Sequence, residues 1–297
     1  MNKRASDPSE DEGPTLVLVG AQSRAGRAIR QAWPGRIVAV HRGKEPGLTL
    51  ADYTQVPDGV IPSGSVVVNC VGTPIGTDAV LHRINHDVAL RWAKAAKAAG
   101  ATRFIQMSSF AVYGSAMLID ADTPELPETA YGRSKLGADQ DLCLCAAPGF
   151  GVTIVRIPML FGDGSDKLTR LVGFVRTIGM VPRVMPPIAR AMLGYDALAA
   201  AIRALTLAPV DGVVHIADPT AFSYELLRER IERVTGRLLR SFPVSAAAGA
   251  IAHRIAPAVH SRLLASSRLA PEVAYRFAMP MGGSLVDALD RIAAGTA

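Results

Sequence analysis

The sequence predicts an α/β fold, a doubly wound parallel sheet followed by a smaller C-terminal lobe. Three observations carry that expectation. A short apolar, β-branched run at 15–19 passes directly into a glycine turn and then into a helical pattern. Further apolar runs, each closing on small or polar residues, alternate with amphipathic helical stretches; such continuous apolar strands are the ones buried on both faces of a parallel sheet. Finally, Tyr131 and Lys135 stand four residues apart on a predicted helix that follows one of these runs.

The first strand, Thr15-Leu16-Val17-Leu18-Val19, runs into Gly20-Ala21-Gln22-Ser23-Arg24-Ala25-Gly26. Ala25, Ala28, Ile29 and Ala32 then share one side of a helix that stops near Trp33-Pro34-Gly35. Strand, glycine turn and helix form the context that a dinucleotide-binding loop requires. Gly20 permits the tight turn, Gly26 lets helix and strand pack closely, and the helix N-terminus faces the pyrophosphate. The second strand, over 36–40, ends in His41-Arg42, where an NAD-specific site often carries an acid for the ribose hydroxyls. Arg42 and Arg24 together suit a 2′-phosphate, which a guanidinium fork grips well. NADP is therefore the expected cofactor and NAD the alternative; in the plainer reading both arginines are only solvated.

The next apolar run, Ser65 to Gly72, should place Cys70, Val71 and Gly72 at the cofactor crevice, with Thr73 beyond them towards substrate. A long amphipathic helix is expected over 78–99, stopped by Gly100. Asn85 is polar on a face otherwise held by Leu81, Val88 and Ala89, either as a satisfied helix asparagine or as a backbone anchor close to the cofactor. The run from Arg103 ends in Met107-Ser108-Ser109-Phe110, again at the edge where ligands bind.

Tyr131-Gly132-Arg133-Ser134-Lys135 places a phenol and an ammonium on one helical face, one turn apart. A free tyrosine has a pKa near ~10, and a neighbouring cation favours the phenolate. Such a pair suits proton transfer on a sugar or alcohol oxygen while hydride moves beside it. A hydroxyl at Ser109 is placed to hydrogen-bond the same oxygen.

These motifs, in this order, resemble the extended branch of the short-chain dehydrogenase/reductase superfamily, the NAD(P)-dependent nucleotide-sugar epimerases, dehydratases and reductases. Arg83-Ile84-Asn85, Phe104 through Gly114, Val155 through Gly162, Gly194 through Ala199 and Val213 through Asp218 support the likeness, which extends from about Thr15 to near the C-terminus. The resemblance implies a Rossmann-type sheet and a catalytic set of Ser109, Tyr131 and Lys135. Tyr131 would be the general acid/base, Lys135 would bind the nicotinamide ribose and lower the tyrosine pKa, and Ser109 would orient the substrate oxygen. Cofactor contacts are expected from Gly20, Gln22, Ser23, Arg24, Ala25, Gly26, His41, Arg42, Cys70, Val71, Gly72, Asn85, Met107, Ser108, Tyr131 and Lys135, with Pro158 and Met159 near the carboxamide. Substrate contacts are expected from Thr73, Ser109, Phe110, Arg183 and Arg190. Four departures stand out: Ser23 replaces the middle glycine of the family's turn, Ala197 replaces its second late aspartate, the link from Ser109 to Tyr131 is a little short, and Phe110-Ala111 stand where sugar dehydratases carry acids. The last disfavours water elimination.

The expected organisation is a flexible tail over 1–13, a dinucleotide-binding domain over 14–159 and a mainly substrate-binding lobe over 160–297, with a strand near 213–216 returning to the sheet. The tail is polar and lacks an apolar segment, unlike a secretion signal. Hydrophobic content of 49% and a mean hydropathy of +0.23 argue against disorder. Aromatic content of 5% gives little support to nucleic-acid stacking, and apolar runs fall short of a membrane span. Residues 1–150 carry 15 basic and 15 acidic side chains and residues 151–297 carry 17 and 11, so the whole net charge of +6 lies in the second half. An anionic substrate such as a nucleotide sugar would be steered there, with Arg170, Arg176, Arg183 and Arg190 as candidates for a diphosphate or as a solvated surface. The proline- and methionine-rich stretch from Met180 to Met192 reads as a substrate loop or a simple connection, and 245–265 as an alanine-rich helix pair that contributes to a homodimer surface. Cys70, Cys143 and Cys145 are too few for a disulfide framework, which fits a cytoplasmic protein. The histidines, His41, His82, His86, His215, His253 and His260, look scattered, so no metal is expected. The leading functional expectation is NADP-dependent 4-keto reduction or epimerisation of a nucleotide sugar. The alternatives are an NADPH-dependent reductase of a non-sugar carbonyl and a non-catalytic NADP-binding regulatory or assembly protein.

Overall fold

A computed structural model describes residues 13–43, 46–50, 52–162, 167–245 and 266–296. Seven strands form one parallel sheet. β1 (Leu16–Val19) is central; β2 (Ile37–His41) and the two-residue β3 (Leu48–Thr49) extend the sheet on one side, and β4 (Val66–Asn69), β5 (Arg103–Met107), β7 (Gly151–Arg156) and β11 (Gly212–His215) on the other. Every neighbouring pair in it is parallel. All four residues of β1 and of β4 are buried, which explains why these runs are apolar without alternation.

Successive residues of a strand serve opposite faces. Leu16, Leu18, Val66, Val68 and Ile105 pack with α1 (Arg24–Ala32) and α6 (Tyr195–Leu207). Val17, Val19, Val67, Phe104 and Ile154 pack with α3 (Val88–Ala98) and α4 (Ala130–Cys143). Trp92 of α3 is fully buried, and its indole N–H donates to Tyr53 O at 2.9 Å, so the ring adds apolar contact without an orphaned donor. The helix expected over 78–99 is interrupted. α2 (Asp78–His82) passes into a π turn over Arg83–Asp87 before α3 begins. That turn carries the inward-facing, fully buried Asn85, and π turns of this kind occur often at functional sites.

The C-terminal lobe has its own core. α5 (Lys167–Ile178), α7 (Tyr224–Thr235) and α8 (Leu285–Ala294) pack through Val172, Val175, Leu227, Ile231, Leu285 and Leu289. α7 begins at Ser223, whose hydroxyl accepts the Leu226 N–H, and ends at Gly236 in the left-handed conformation. The stretch from Met180 to Met192 is not one continuous loop. β9 (Met180–Val184) pairs with β12 (Arg240–Val244), and β10 (Met192–Gly194) pairs with β8 (Met159–Phe161). A further pair joins β6 (Leu118–Ile119) to β13 (Arg268–Leu269). Most of the helix pair expected over 245–265, and the tail before Gly13, lie outside the described residues.

Candidate active site

The chain winds outward through β2 and β3, then returns to β4 on the far side of β1. The crevice at the carboxyl ends of β1 and β4 is therefore a topological switch point, where open parallel sheets bind ligands. A cavity of about 780 Å³ lies there. Gly20, Gln22, Ser23, Arg42, Cys70, Val71, Gly72 and Thr73 line it, with Arg83 and Ile84 of the segment noted before Asn85, and with Asp52, Tyr53 and Thr54, which the sequence motifs do not include.

The turn is built on close contact. Gly20 has φ +82, and a Cβ there would lie 3.1 Å from the backbone of Cys70 and Val71. A Cβ on Gly26 would collide with Gly20 O and sit 2.9 Å from Ala21 Cα, so the helix packs on the strand as the glycine spacing requires. Ser23, in the place of a family glycine, is the N-cap of α1; its hydroxyl accepts the Gly26 N–H at 3.0 Å. Arg24 opens the helix on an exposed face, with half-buried Ala25 behind it. Arg42 reaches the cleft with its guanidinium 5.4 Å from the Tyr53 ring centre. Asp52 stands nearby; a hydrogen bond from the Thr54 N–H at 2.9 Å, reinforced by Arg83 and Arg42, holds its carboxyl below the usual range. His41 is fully buried, its Nε2 3.4 Å from Pro46 O, and it does not line the cleft.

The other end of the site gathers around α4. Thr129 caps this helix by accepting the Gly132 N–H at 3.0 Å. A Cβ on Gly132 would strike Ala111 O, so the glycine beside Tyr131 lets α4 seat against the short turn Phe110–Tyr113. Lys135 is 3% exposed and its ammonium donates to Met107 O at 2.9 Å. A Cβ on Gly72 would come within 3.0 Å of Lys135 Nζ and 3.2 Å of Asn85 Oδ1. Asn85 Oδ1 accepts the Thr73 N–H at 2.8 Å, and its Nδ2 donates to Thr73 O and to Ser134 Oγ, each at 2.9 Å. One amide thus joins the loop after β4 to α4. Ser109 Oγ accepts the Ala111 N–H at 3.1 Å, and Phe110 is buried behind it.

Burial lowers the Lys135 amine to about 8 against the opposing pull of Asp139. Burial raises the Tyr131 phenol above its usual range, with hydrogen bonding to Ser109 opposing it. In the protein alone desolvation dominates at this phenol, and the Lys135 ammonium is engaged by Met107 O. Burial likewise pushes the Cys70 thiol up to about 12. Beneath the site, Ser108 Oγ donates to Asp139 Oδ2 at 2.8 Å, and Arg156 Nε donates to the same oxygen at 3.0 Å. Arg156 also meets Tyr113 OH at 2.7 Å and Glu125 at 2.5 Å, a buried polar network that the sequence reading did not anticipate. His215, next to Tyr113, is lowered to about 4 by burial and by Arg156.

A second cavity, of about 460 Å³, opens in the C-terminal lobe from Met159, the residue after Pro158. Its walls are largely apolar, with Leu168, Leu171, Phe174, Ile188 and Phe222, and Arg170, Arg190 and Tyr224 also contribute. The four arginines considered for a diphosphate are thus divided. Arg170 and Arg190 line this cavity, Arg176 donates to Ile292 O at 3.1 Å, and Arg183 is exposed on β9. The histidines judged scattered are not all so: His82 and His86 stack with ring centres 4.3 Å apart, a pairing legible in their four-residue spacing on a helix.

Comparison with known proteins matches residues 18–182 to the NAD dependent epimerase/dehydratase family. No curated protein matches the chain. Among solved structures, the chain is similar to a human epimerase family protein with NADPH at 17% identity and a TM-score of 0.73, covering 94% of this chain and 99% of that one. It is similar to UDP-glucuronic acid 4-epimerase from Bacillus cereus in complex with NAD at 14% identity and a TM-score of 0.68, covering 95% and 100%. A dTDP-4-dehydrorhamnose reductase from Clostridium acetobutylicum matches at 20% identity and a TM-score of 0.62, over 78% and 84%. At these identities the structural likeness establishes the Rossmann-like fold. No helix among the described residues is long and apolar enough to cross a membrane.

Proposed function

The chain belongs to the NAD dependent epimerase/dehydratase family, and we propose that within it the protein is an NADP-dependent oxidoreductase or epimerase of a nucleotide-activated sugar. The observation that carries this reading is the convergence of Lys135, Asn85, Gly72 and Thr73 beside Tyr131 and Ser109 at the switch point of the sheet. The cleft fits a dinucleotide: it has a close-packed glycine turn, a capped helix N-terminus and a cationic Arg42 seated on Tyr53. Gly20, Ser23 and Gly26 would hold the pyrophosphate, Arg42 and Arg24 the 2′-phosphate, and Lys135 the nicotinamide ribose. The bound nicotinamide supplies or accepts the hydride.

The chain's own residues handle the proton. Tyr131, with its phenol raised by burial, holds its proton at neutral pH and is poised to give it to the oxygen of a carbonyl undergoing reduction. Ser109 shares that oxygen and keeps it in line with the phenol. Lys135 exchanges Met107 O for a ribose hydroxyl, and its positive charge then favours the phenolate left behind. Asn85 holds Thr73 and Ser134 so that the loop after β4 and α4 do not drift apart.

The apolar walls of the lobe cavity favour a second reading, reduction of a non-sugar carbonyl whose apolar body lies along Leu171, Phe174 and Phe222. Purified protein should be assayed for NADPH oxidation against a panel of keto-sugar nucleotides and apolar aldehydes and ketones, and for interconversion of nucleotide-sugar epimers without net NADPH consumption. Turnover restricted to the sugar nucleotides supports the first reading and turnover restricted to apolar carbonyls the second. NADPH oxidation that survives Tyr131→Phe contradicts both.

A further inference from the structure

The segment that presents Asn85 to the active site also carries a cluster of metal-ligating side chains on its outer side. His82 is the last residue of α2, and His86 lies four positions on in the π turn. Asp87 Oδ1 is 3.2 Å from His82 Nδ1 and 2.8 Å from His86 Nδ1. The three donor atoms all lie within 4.8 Å of one another. An ion bound at about 2.0–2.1 Å to tetrahedral nitrogen and oxygen ligands spaces them roughly 3.4 Å apart, so small rotamer changes suffice.

The second ring nitrogen points to the same conclusion. His86 Nε2 is 2.9 Å from Asp141 Oδ2 on α4, and the His86 side chain is only 12% exposed. This is the carboxylate–histidine pairing that fixes the tautomer of a metal-bound imidazole. With Nε2–H donated to Asp141, the Nδ1 lone pair faces the Asp87 carboxylate. Two acceptors at 2.8 Å repel unless a cation, either a metal ion or a second proton, comes between them.

We propose that His82, His86 and Asp87 form a site for a divalent transition-metal ion of the zinc class, with Asp141 orienting His86 from the neighbouring helix. Two imidazoles and a carboxylate suit zinc, cobalt or nickel and do not suit the all-oxygen preference of magnesium or calcium. The site is independent of the catalytic reading. The His86–Asp141 contact ties the α2–α3 segment to α4, the two elements that Asn85 also bridges through Ser134, and an ion on His86 Nδ1 would hold that ring in place. Binding to the folded form alone raises thermal stability by mass action.

The test is calorimetric titration of Zn²⁺ into the full, tag-free chain after chelator treatment, with thermal melting in parallel. One equivalent should bind and raise the melting temperature. His82→Ala and His86→Ala should each weaken binding at least ~10-fold, and Asp141→Asn by ~10-fold, the lower end for losing a carboxylate behind a ligand. His82 is exposed, so His82→Ala decides the matter if His86→Ala fails to fold. The Cys143→Ser/Cys145→Ser double variant should bind as the parent does. Absence of stoichiometric binding, unchanged affinity in His82→Ala, or loss confined to the cysteine variant would each overturn the site.

Discussion

The cleft between β1 and β4 and the cavity of the C-terminal lobe are built from different materials. The cleft is walled by backbone at its tightest points, where Gly26 leaves no room for a Cβ and Gly20 very little, and the side chains of Asn85, Ser23 and Lys135 are tied by hydrogen bonds to backbone groups. The lobe cavity is walled by the ends of apolar side chains on α5, β10 and the approach to α7. A backbone wall accepts one shape of ligand, whereas an apolar wall excludes water and tolerates variation. The difference teaches that cofactor binding should respond sharply to single substitutions and substrate choice only gradually.

The largest effect should come from the reacting group itself. Tyr131→Phe should reduce turnover by about 10²–10⁴-fold, the range for losing a general acid, while NADPH affinity measured by fluorescence stays near that of the parent. Gly26→Val tests the backbone wall. It should destabilise the protein by about 1–3 kcal/mol in urea unfolding, because its side chain must displace Gly20 O and Ala21. Wild-type stability in this variant would show that the turn is looser than its contacts imply. Arg42→Ala should weaken NADPH by roughly 1–3 kcal/mol, the cost of a lost charge-assisted bond, and leave NADH unchanged. Equal losses for both cofactors would place Arg42 outside a 2′-phosphate site.

Lys135 gives the cleft a pH signature. Its folded value of about 8 lies below the ordinary 10.5, so the folded form sheds a proton that the unfolded chain keeps between those limits. Unfolding takes up a proton in that window, and the contribution of Lys135 to stability rises with pH from about 8 to 10.5. Cofactor affinity should move the opposite way, falling above about pH 8 as the donor loses its charge, with Lys135→Met removing that dependence. The smallest effect is expected in the lobe. Phe174→Asp should raise KM for apolar carbonyls by about 10-fold or less, the scale of a single apolar contact, and leave NADPH affinity unchanged.

The same contrast decides what was legible in the sequence. β1, β4 and β5 are local runs buried on both faces, and the glycine turn and the Tyr131–Lys135 spacing are local too, so each could be read without knowledge of its neighbours. The π turn could not, because helical periodicity continues through one extra residue and only the inward turn of Asn85 marks it. β9 and β12 are five residues each and sit 60 positions apart, so pairing rather than composition makes them strands. Asp52 and Tyr53 went unnoticed because they follow a two-residue strand, β3, that carries no apolar run of its own. His41 stands beside Arg42 in sequence, yet strand alternation turns it into the protein while Arg42 reaches the cleft.

A crystal structure with NADP tests the central claim most directly. The account predicts the pyrophosphate over the Gly20–Gly26 turn, Lys135 Nζ released from Met107 O onto the nicotinamide ribose, and the ring within reach of the Tyr131 hydroxyl. A cleft that stays empty at saturating NADP and NAD, or a ring seated away from Tyr131, would contradict it.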